Sequence, residues 1–244
     1  MKSVVNESKT EKATQIRQVI AKNMINSWQT SPKCDYFMKA DATRLLECRA
    51  AYNRENGCKV SFLGIVMKAA AQALKEFSYV NSSYDFEEQA HILHEKIHVG
   101  FVMSTGMGIV VLNVKNTDRL SPCEIEMEIT RLIASVNDRK LSMDDITGST
   151  FTINNMGVYK RLQCHTAIIN QPELAILSIY RIQEEPVIKD GRVEVGKVMN
   201  IVMSADHRVI DGKMACEFLN RVCELLEAPE AILTVDVLDN TNDL

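Results

Sequence analysis

The chain has 244 residues, enough to bury one substantial mixed core, and its 46% hydrophobic and 25% charged residues are ordinary for a soluble globular protein. A net charge of −4 without a basic tract argues against a nucleic-acid partner, and no apolar run approaches the roughly 20 residues that span a bilayer. The polar start lacks the apolar centre of a signal peptide, and the seven scattered cysteines, odd in number and without C-x-x-C, read as free thiols in a reducing compartment: cytoplasm, or mitochondrial matrix if eukaryotic.

Residues 1–13 read as a flexible N-terminal lead. From Thr14 to about Ser27, Ile16, Val19, Ile20, Met24 and Ile25 recur at helical spacing, and Pro32 stops the helix. Lys33 to Ala40 reads as a strand, after which Asp41 caps a helix to about Asn53 with Leu45, Leu46 and Ala50 inward. Ser61 to Phe77 is a more apolar helix, expected to be buried. Ile97–Thr105 and Ile109–Val114 are strands joined by a Gly106-Met107-Gly108 turn. Ser121-Pro122-Cys123-Glu124 is a capping box with proline in the first turn, opening a helix to about Arg139. Ser149–Ile153, Leu174–Gln183 and Val198–Ala205 are strands, and Met214, Cys216, Phe218, Leu219, Val222 and Leu226 line a last long helix. There is no internal repeat or linker, so 14–233 reads as one domain. Mixing of helices and strands without regular alternation favours an α+β fold, a mixed sheet flanked by helices.

The run Asp206-His207-Arg208-Val209-Ile210-Asp211-Gly212 joins an apolar strand to an amphipathic helix. A strand end and a turn can hold an imidazole as a base. A carboxylate four residues on can steady the loop by a local hydrogen bond, and glycine lets the backbone turn into the helix. Ser204 to Gly212, S-A-D-H-R-V-I-D-G, resembles the active-site signature of the dihydrolipoamide acyltransferases of 2-oxoacid dehydrogenase complexes. Ile16–Met24, Gly106–Val114, Thr150–Gly157 and Ala167–Pro172 are similar to further segments of that family, in order, so the resemblance covers about Thr14 to Leu233.

The resemblance implies a chloramphenicol acetyltransferase-like two-layer sandwich and a homotrimer with active sites between subunits. It implies acyl transfer, acetyl first, between coenzyme A and a dihydrolipoyl thiol on a separate carrier domain supplied in trans, alongside 2-oxoacid dehydrogenase components. His207 is then the general base. Asn154 stands where the family carries a Ser or Thr hydroxyl donor; its amide can still donate to an oxyanion, from a different position. Asp211 steadies the histidine loop, with Arg17 a candidate cationic partner. The coenzyme-A residues are not legible, since no glycine-rich phosphate loop is present. Two alternatives stand beside this reading: acyl transfer to a small non-lipoyl acceptor, and a catalytically weak trimeric scaffold of the same fold. The acidic extension 234–244, with Asp236, Asp239 and Asp243, is expected to stop assembly at the trimer.

Three other patterns compete for attention. His94-Glu95-Lys96-Ile97-His98 fits H-E-x-x-H, with His91 nearby, but zinc chemistry needs a helix and these flanks are β-rich; a strand would separate the histidines by about 13 Å. They read as surface histidines, and no metal is expected. Cys164-His165 mimics a catalytic pair, but strand neighbours point to opposite faces, so His165 reads as packing in the core or at an interface. The methionines, Met103, Met107 and Met203 among them, read as core filling.

Overall fold

The computed structural model describes residues 11–106 and 108–233, with nothing said of the Ile16 side chain. Most of the expected N-terminal lead, Met107 and the acidic extension lie outside the described residues. Helix α1 (Gln15–Thr30) starts where the Thr14 hydroxyl accepts from the Arg17 N–H, and it runs a turn further than the periodicity predicts. Strand β1 (Lys33–Asp41) follows. Asp41 is its last residue, and its carboxylate accepts from the Thr43 N–H at the start of α2 (Thr43–Asn56). The cap position itself belongs to Ala42.

Helix α3 (Phe62–Glu76) is buried over most of its length, as its composition predicts. Ser61 caps it, and the Glu126 carboxylate accepts from both the N–H and the hydroxyl of Ser61 (2.8 and 2.6 Å). A hairpin of β2 (Ser82–Asp85) and β3 (Ala90–Leu93) stands apart as its own small sheet, and the periodicity does not predict it. Strands β4 (Val99–Thr105) and β5 (Gly108–Val114) form the expected antiparallel pair. A Cβ at Gly100 would lie 2.6 Å from Val111 Cγ1, so only glycine allows that close approach. Helix α4 (Pro122–Asn137) carries the predicted capping box, and the short α5 (Met143–Ile146) repeats the device through Ser142 and Asp145.

Strand β6 (Phe151–Asn155) runs parallel to β4 and to β7 (Ala175–Ile179). The predicted strand Leu174–Gln183 is in fact two. The chain leaves β7 at Tyr180 and re-enters as β8 (Gln183–Lys189), an edge strand that carries Pro186 and pairs with β9 (Arg192–Asp206). Asp190 and Gly191, both at positive φ (51° and 76°), make the two-residue turn between them. Helix α6 (Gly212–Glu227) and the short α7 (Glu230–Leu233) complete the described chain.

The main sheet has seven strands in the order β1-β9-β7-β6-β4-β5, with β8 on the outer part of β9. It is a mixed sheet with helices on one face, the α+β two-layer sandwich expected from the sequence. Alternation sends Phe151, Ile153, Leu177, Ile201 and Met203 into the helix-covered core. There Phe218 of α6 meets Phe151 and Phe77 edge-on, at ring separations of 5.6 and 5.7 Å. The opposite face carries Thr152, Asn154, Ser178 and Ser204, and the segment 162–172 covers part of it through Ala167 and Ile169.

Not all cysteines are free thiols. Cys58, before α3, and Cys123, in the first turn of α4, form a disulfide, because the packing of α3 on α4 brings their Cα atoms to 6.1 Å. Sequence gives no sign of this pairing across 65 residues.

Glu173 is a carboxylate enclosed beneath the second face that the sequence does not flag. Its Oε1 accepts from Ser149 (2.5 Å), Thr152 (2.9 Å) and Asn170 (2.8 Å), while Oε2 is buried with no partner among the described residues. Burial pushes its pKa up to about 7 against those three hydrogen bonds. A raised folded-state value means the fold favours the protonated acid: the Glu173 contribution to stability is fully present below the ordinary value of 4.5 and is lost as pH rises through about 7. The gap corresponds to about 3 kcal/mol. Glu173→Gln, which keeps an acceptor and cannot ionise, is therefore expected to match wild type in urea unfolding at pH 4.5 and exceed it at pH 8 at equal protein concentration. Parallel stability profiles for the two proteins would refute this.

Candidate active site

His207 sits on the turn between β9 and α6, solvent-exposed, with its N–H donating to the Pro32 carbonyl at 3.1 Å. Its imidazole makes no hydrogen bond among the described residues, so both ring nitrogens are available to a ligand. The residues on either side hold the turn. Asp206, the last of β9, is 0% exposed, and its N–H donates to the Leu174 carbonyl. Its carboxylate accepts from the Arg208 N–H at 3.1 Å and from the Arg208 guanidinium at 3.0 and 2.7 Å. Phe86, on the β2–β3 hairpin, lies against that guanidinium at 3.6 Å from ring centroid to Cζ. A fork-to-fork ion pair thus straddles His207 and is backed by an aromatic ring.

Asp211 is the N-cap of α6: its Oδ1 accepts from the Met214 N–H at 2.8 Å. Arg17 is exposed on α1, and no ion pair joins it to Asp211 among the described residues; the link between the His207 loop and its carboxylate is a helix cap. Asp35 and Lys33 on β1 pair with each other at 2.8 Å, and Asp35 also accepts from the Ser204 hydroxyl.

Asn154 is elsewhere. It is half-buried on β6, in the row Asn154–Ser178–Val202 across three strands. His207 lies five residues beyond Val202 on β9. At about 3.3 Å per residue and 4.8 Å between strands, the two side chains are about 16 Å apart along the sheet and two strands apart across it. A single chain does not bring them together.

His165, read as packing, lies in an irregular segment and not on a strand, and it contacts Asn154 directly: His165 Nε2 is 3.3 Å from Asn154 Nδ2. Its Nδ1 is 2.6 Å from the Tyr180 hydroxyl, which accepts from the His165 N–H (2.8 Å) and donates to the His165 carbonyl (3.0 Å). Beside Asn155 opens a cavity of about 560 Å3 lined by apolar Leu46, Phe62 and Met199 together with Arg49, Arg181 and Lys197.

The H-E-x-x-H segment is neither helix nor strand. His91 is exposed as expected, but His94 and His98 are half-buried and each is held: His94 Nε2 by the Ser83 hydroxyl at 3.0 Å, and His98 Nδ1 by the Asn116 N–H at 2.9 Å. Burial lowers the pKa of both.

With this geometry in hand, comparison with known proteins is specific. The profile of the family described as 2-oxoacid dehydrogenases acyltransferase (catalytic domain) matches residues 5–234. The chain is 37% identical over 228 residues to the dihydrolipoyllysine-residue acetyltransferase component of the pyruvate dehydrogenase complex of Staphylococcus aureus, covering 92% of this chain and 53% of that protein. It therefore spans about half the length of the curated relatives it matches. A solved structure of the Azotobacter vinelandii dihydrolipoamide acetyltransferase superposes with a TM-score of 0.87 at 32% identity, covering 93% of this chain and 95% of that one. That structure belongs to an investigation of the catalytic role of a serine, a histidine and an asparagine, the last two four residues apart. A chloramphenicol acetyltransferase, at 15% identity and a TM-score of 0.50 over 89% of this chain and 100% of that one, shares the fold.

Proposed function

The chain belongs to the 2-oxoacid dehydrogenase acyltransferases, as their catalytic domain, and from that premise we propose that it transfers an acyl group, acetyl first, between coenzyme A and a dihydrolipoyl thiol. The observation that carries this reading is the His207 turn: an exposed, uncommitted imidazole on a backbone fixed by Asp206, Arg208 and the α6 cap. The Azotobacter protein was studied through a histidine and a residue four positions on, the same spacing as His207 and Asp211 here, which supports the reading.

A thiol with a pKa near 8.5 is only a few per cent thiolate at neutral pH. His207 takes the proton as the sulfur attacks the thioester carbon. Negative charge builds on the former carbonyl oxygen, where the Asn154 amide N–H donates. Collapse expels the other sulfur, which takes the proton back from the imidazolium, so atoms and charge balance. Coenzyme A is a substrate in this scheme, and the chemistry calls for no metal. The cavity beside Asn155 suits coenzyme A: apolar wall for the pantetheine arm, and in Arg181 a cation with no ion pair among the described residues for phosphate. The lipoyl group arrives on a carrier domain in trans, within or beside a 2-oxoacid dehydrogenase complex.

The separation of His207 from Asn154 supports a site shared between copies of the chain, arranged as a homotrimer. Co-expressing His207→Ala and Asn154→Ala protomers tests this. Each variant alone is expected to be nearly inactive. Random trimers place an intact His207 against an intact Asn154 at one interface of every mixed trimer, which restores about a quarter of wild-type acetyl transfer. Mixed protein as inactive as its parents would rule out the shared site.

A further inference from the structure

We propose that His165 is a positioning residue that holds the Asn154 carboxamide with its nitrogen, and not its oxygen, fixed as the donor to the acyl oxygen. The inference rests on Asn154 acting as that donor. It is built on the donors and acceptors around Tyr180, whose phenol the Ser178 side chain also hydrogen-bonds. The Tyr180 hydroxyl has one hydrogen and two acceptors in reach, the His165 carbonyl at 3.0 Å and His165 Nδ1 at 2.6 Å; the proposed network places it on the carbonyl. Its lone pairs then face the His165 N–H at 2.8 Å and His165 Nδ1 at 2.6 Å. With the hydroxyl hydrogen on the carbonyl, Nδ1 carries the proton in that contact, and Nε2 is left with a lone pair.

The Nε2 lone pair accepts from Asn154 Nδ2 at 3.3 Å. A flipped amide would set the Oδ1 lone pairs against the Nε2 lone pair, acceptor against acceptor, so the network selects one of the two amide orientations. In that orientation Nδ2 keeps a second hydrogen, which no described residue uses. A hydroxyl donor at this position could rotate to suit its acceptor; a carboxamide has two unlike ends and needs its orientation set from outside.

The surroundings keep the relay in the required protonation states. Tyr180 is 2% exposed, and burial pushes its phenol above the ordinary range. Burial likewise lowers the His165 pKa; the charged groups that bear on it are Asp35, which opposes that shift, and Lys33, which adds to it. The ring is therefore neutral at neutral pH, and a neutral ring is the one form that can both donate at Nδ1 and accept at Nε2.

Acetyl transfer by the full chain tests the proposal, with oligomeric state and melting temperature checked for each variant. Asn154→Ala is expected to lower kcat by about 10²–10³-fold. His165→Leu is expected to lower kcat by about 5–10-fold with KM unchanged, the size of one lost orienting hydrogen bond. His165→Gln, whose amide oxygen can take the place of Nε2 as acceptor, is expected to recover most of that loss, and His165→Leu should cost nothing further in an Asn154→Ala background. If Asn154→Ala is costly but His165→Leu is silent, or if the two losses multiply, the relay is wrong while the donor stands. A silent Asn154→Ala removes the donor and the relay with it. Should His165→Leu fail to fold, ring ¹⁵N shifts of wild-type protein decide: the Nδ1–H tautomer is expected, and the Nε2–H tautomer overturns the proposal.

Discussion

Replacing His207 by alanine is expected to lower acetyl transfer from acetyl-CoA to dihydrolipoamide by about 10²–10⁴-fold, the usual worth of a positioned base. The loss should fall on kcat, because the imidazole is exposed and makes no hydrogen bond among the described residues; the residue is held through its backbone N–H. A second signature separates a lost base from general damage. Without His207 the acceptor must ionise in solution, so residual turnover should rise about tenfold per pH unit until the thiol pKa near 8.5. Wild type, with its proton acceptor in place, should show a much flatter profile over the same range. Turnover by wild type and an unchanged rate in the variant would move the base elsewhere. No turnover by either, with coenzyme A still bound in calorimetry, would favour a different acyl acceptor. Failure to bind coenzyme A at all would favour the scaffold.

The family and the α+β sandwich were legible because the His207 signature and the hydrophobic periodicities of α3, α4 and β9 are local patterns. The α4 capping box was readable to the residue, since Ser121, Pro122 and Glu124 act on one another within a turn. The β8–β9 hairpin was equally local. Asp190-Gly191 is a strong two-residue turn signal, but a single strand drawn from Leu174 to Gln183 stopped short of it.

What stayed hidden depends on tertiary contact. Nothing in the spacing of Cys58 and Cys123 says that α3 and α4 will pack them together, nor that Glu173 will lie beneath Thr152 and Ser149. The local hydrogen bond expected of Asp211 is there as the α6 cap, while the candidate ion pair with Arg17 is absent among the described residues. An aspartate at the start of an amphipathic helix satisfies a backbone N–H first, and Asp211 does so by capping Met214. The carboxylate that does form the ion pair, Asp206, stands on the other side of the histidine. Its burial at the end of β9 could not be read from a motif in which both aspartates look alike. His165 was dismissed by a strand rule in a segment that is not a strand.

Arg208→Ala is the variant that tests whether this turn is built or merely present. Asp206 is 0% exposed, and the Arg208 guanidinium supplies two of the three hydrogen bonds its carboxylate receives. Removing one partner of a buried pair leaves a stranded charge, at about 3–5 kcal/mol. The Arg208 side chain is 30% exposed, so water can reach the vacated position and the lower end applies. About 3 kcal/mol in a chain of this length lowers the melting temperature by about 6–12 °C. Acetyl transfer should fall as well, because the turn that aims His207 loses its lock and its contact with Phe86. Adding Asp206→Asn to Arg208→Ala distinguishes the two effects. Asparagine removes the stranded charge, so most of the melting temperature should return, while turnover should stay low, since no fork-to-fork pair is rebuilt across the histidine. If activity returned together with stability, the pair would matter only for folding; if neither returned, the loss would lie in the arginine's contact with Phe86.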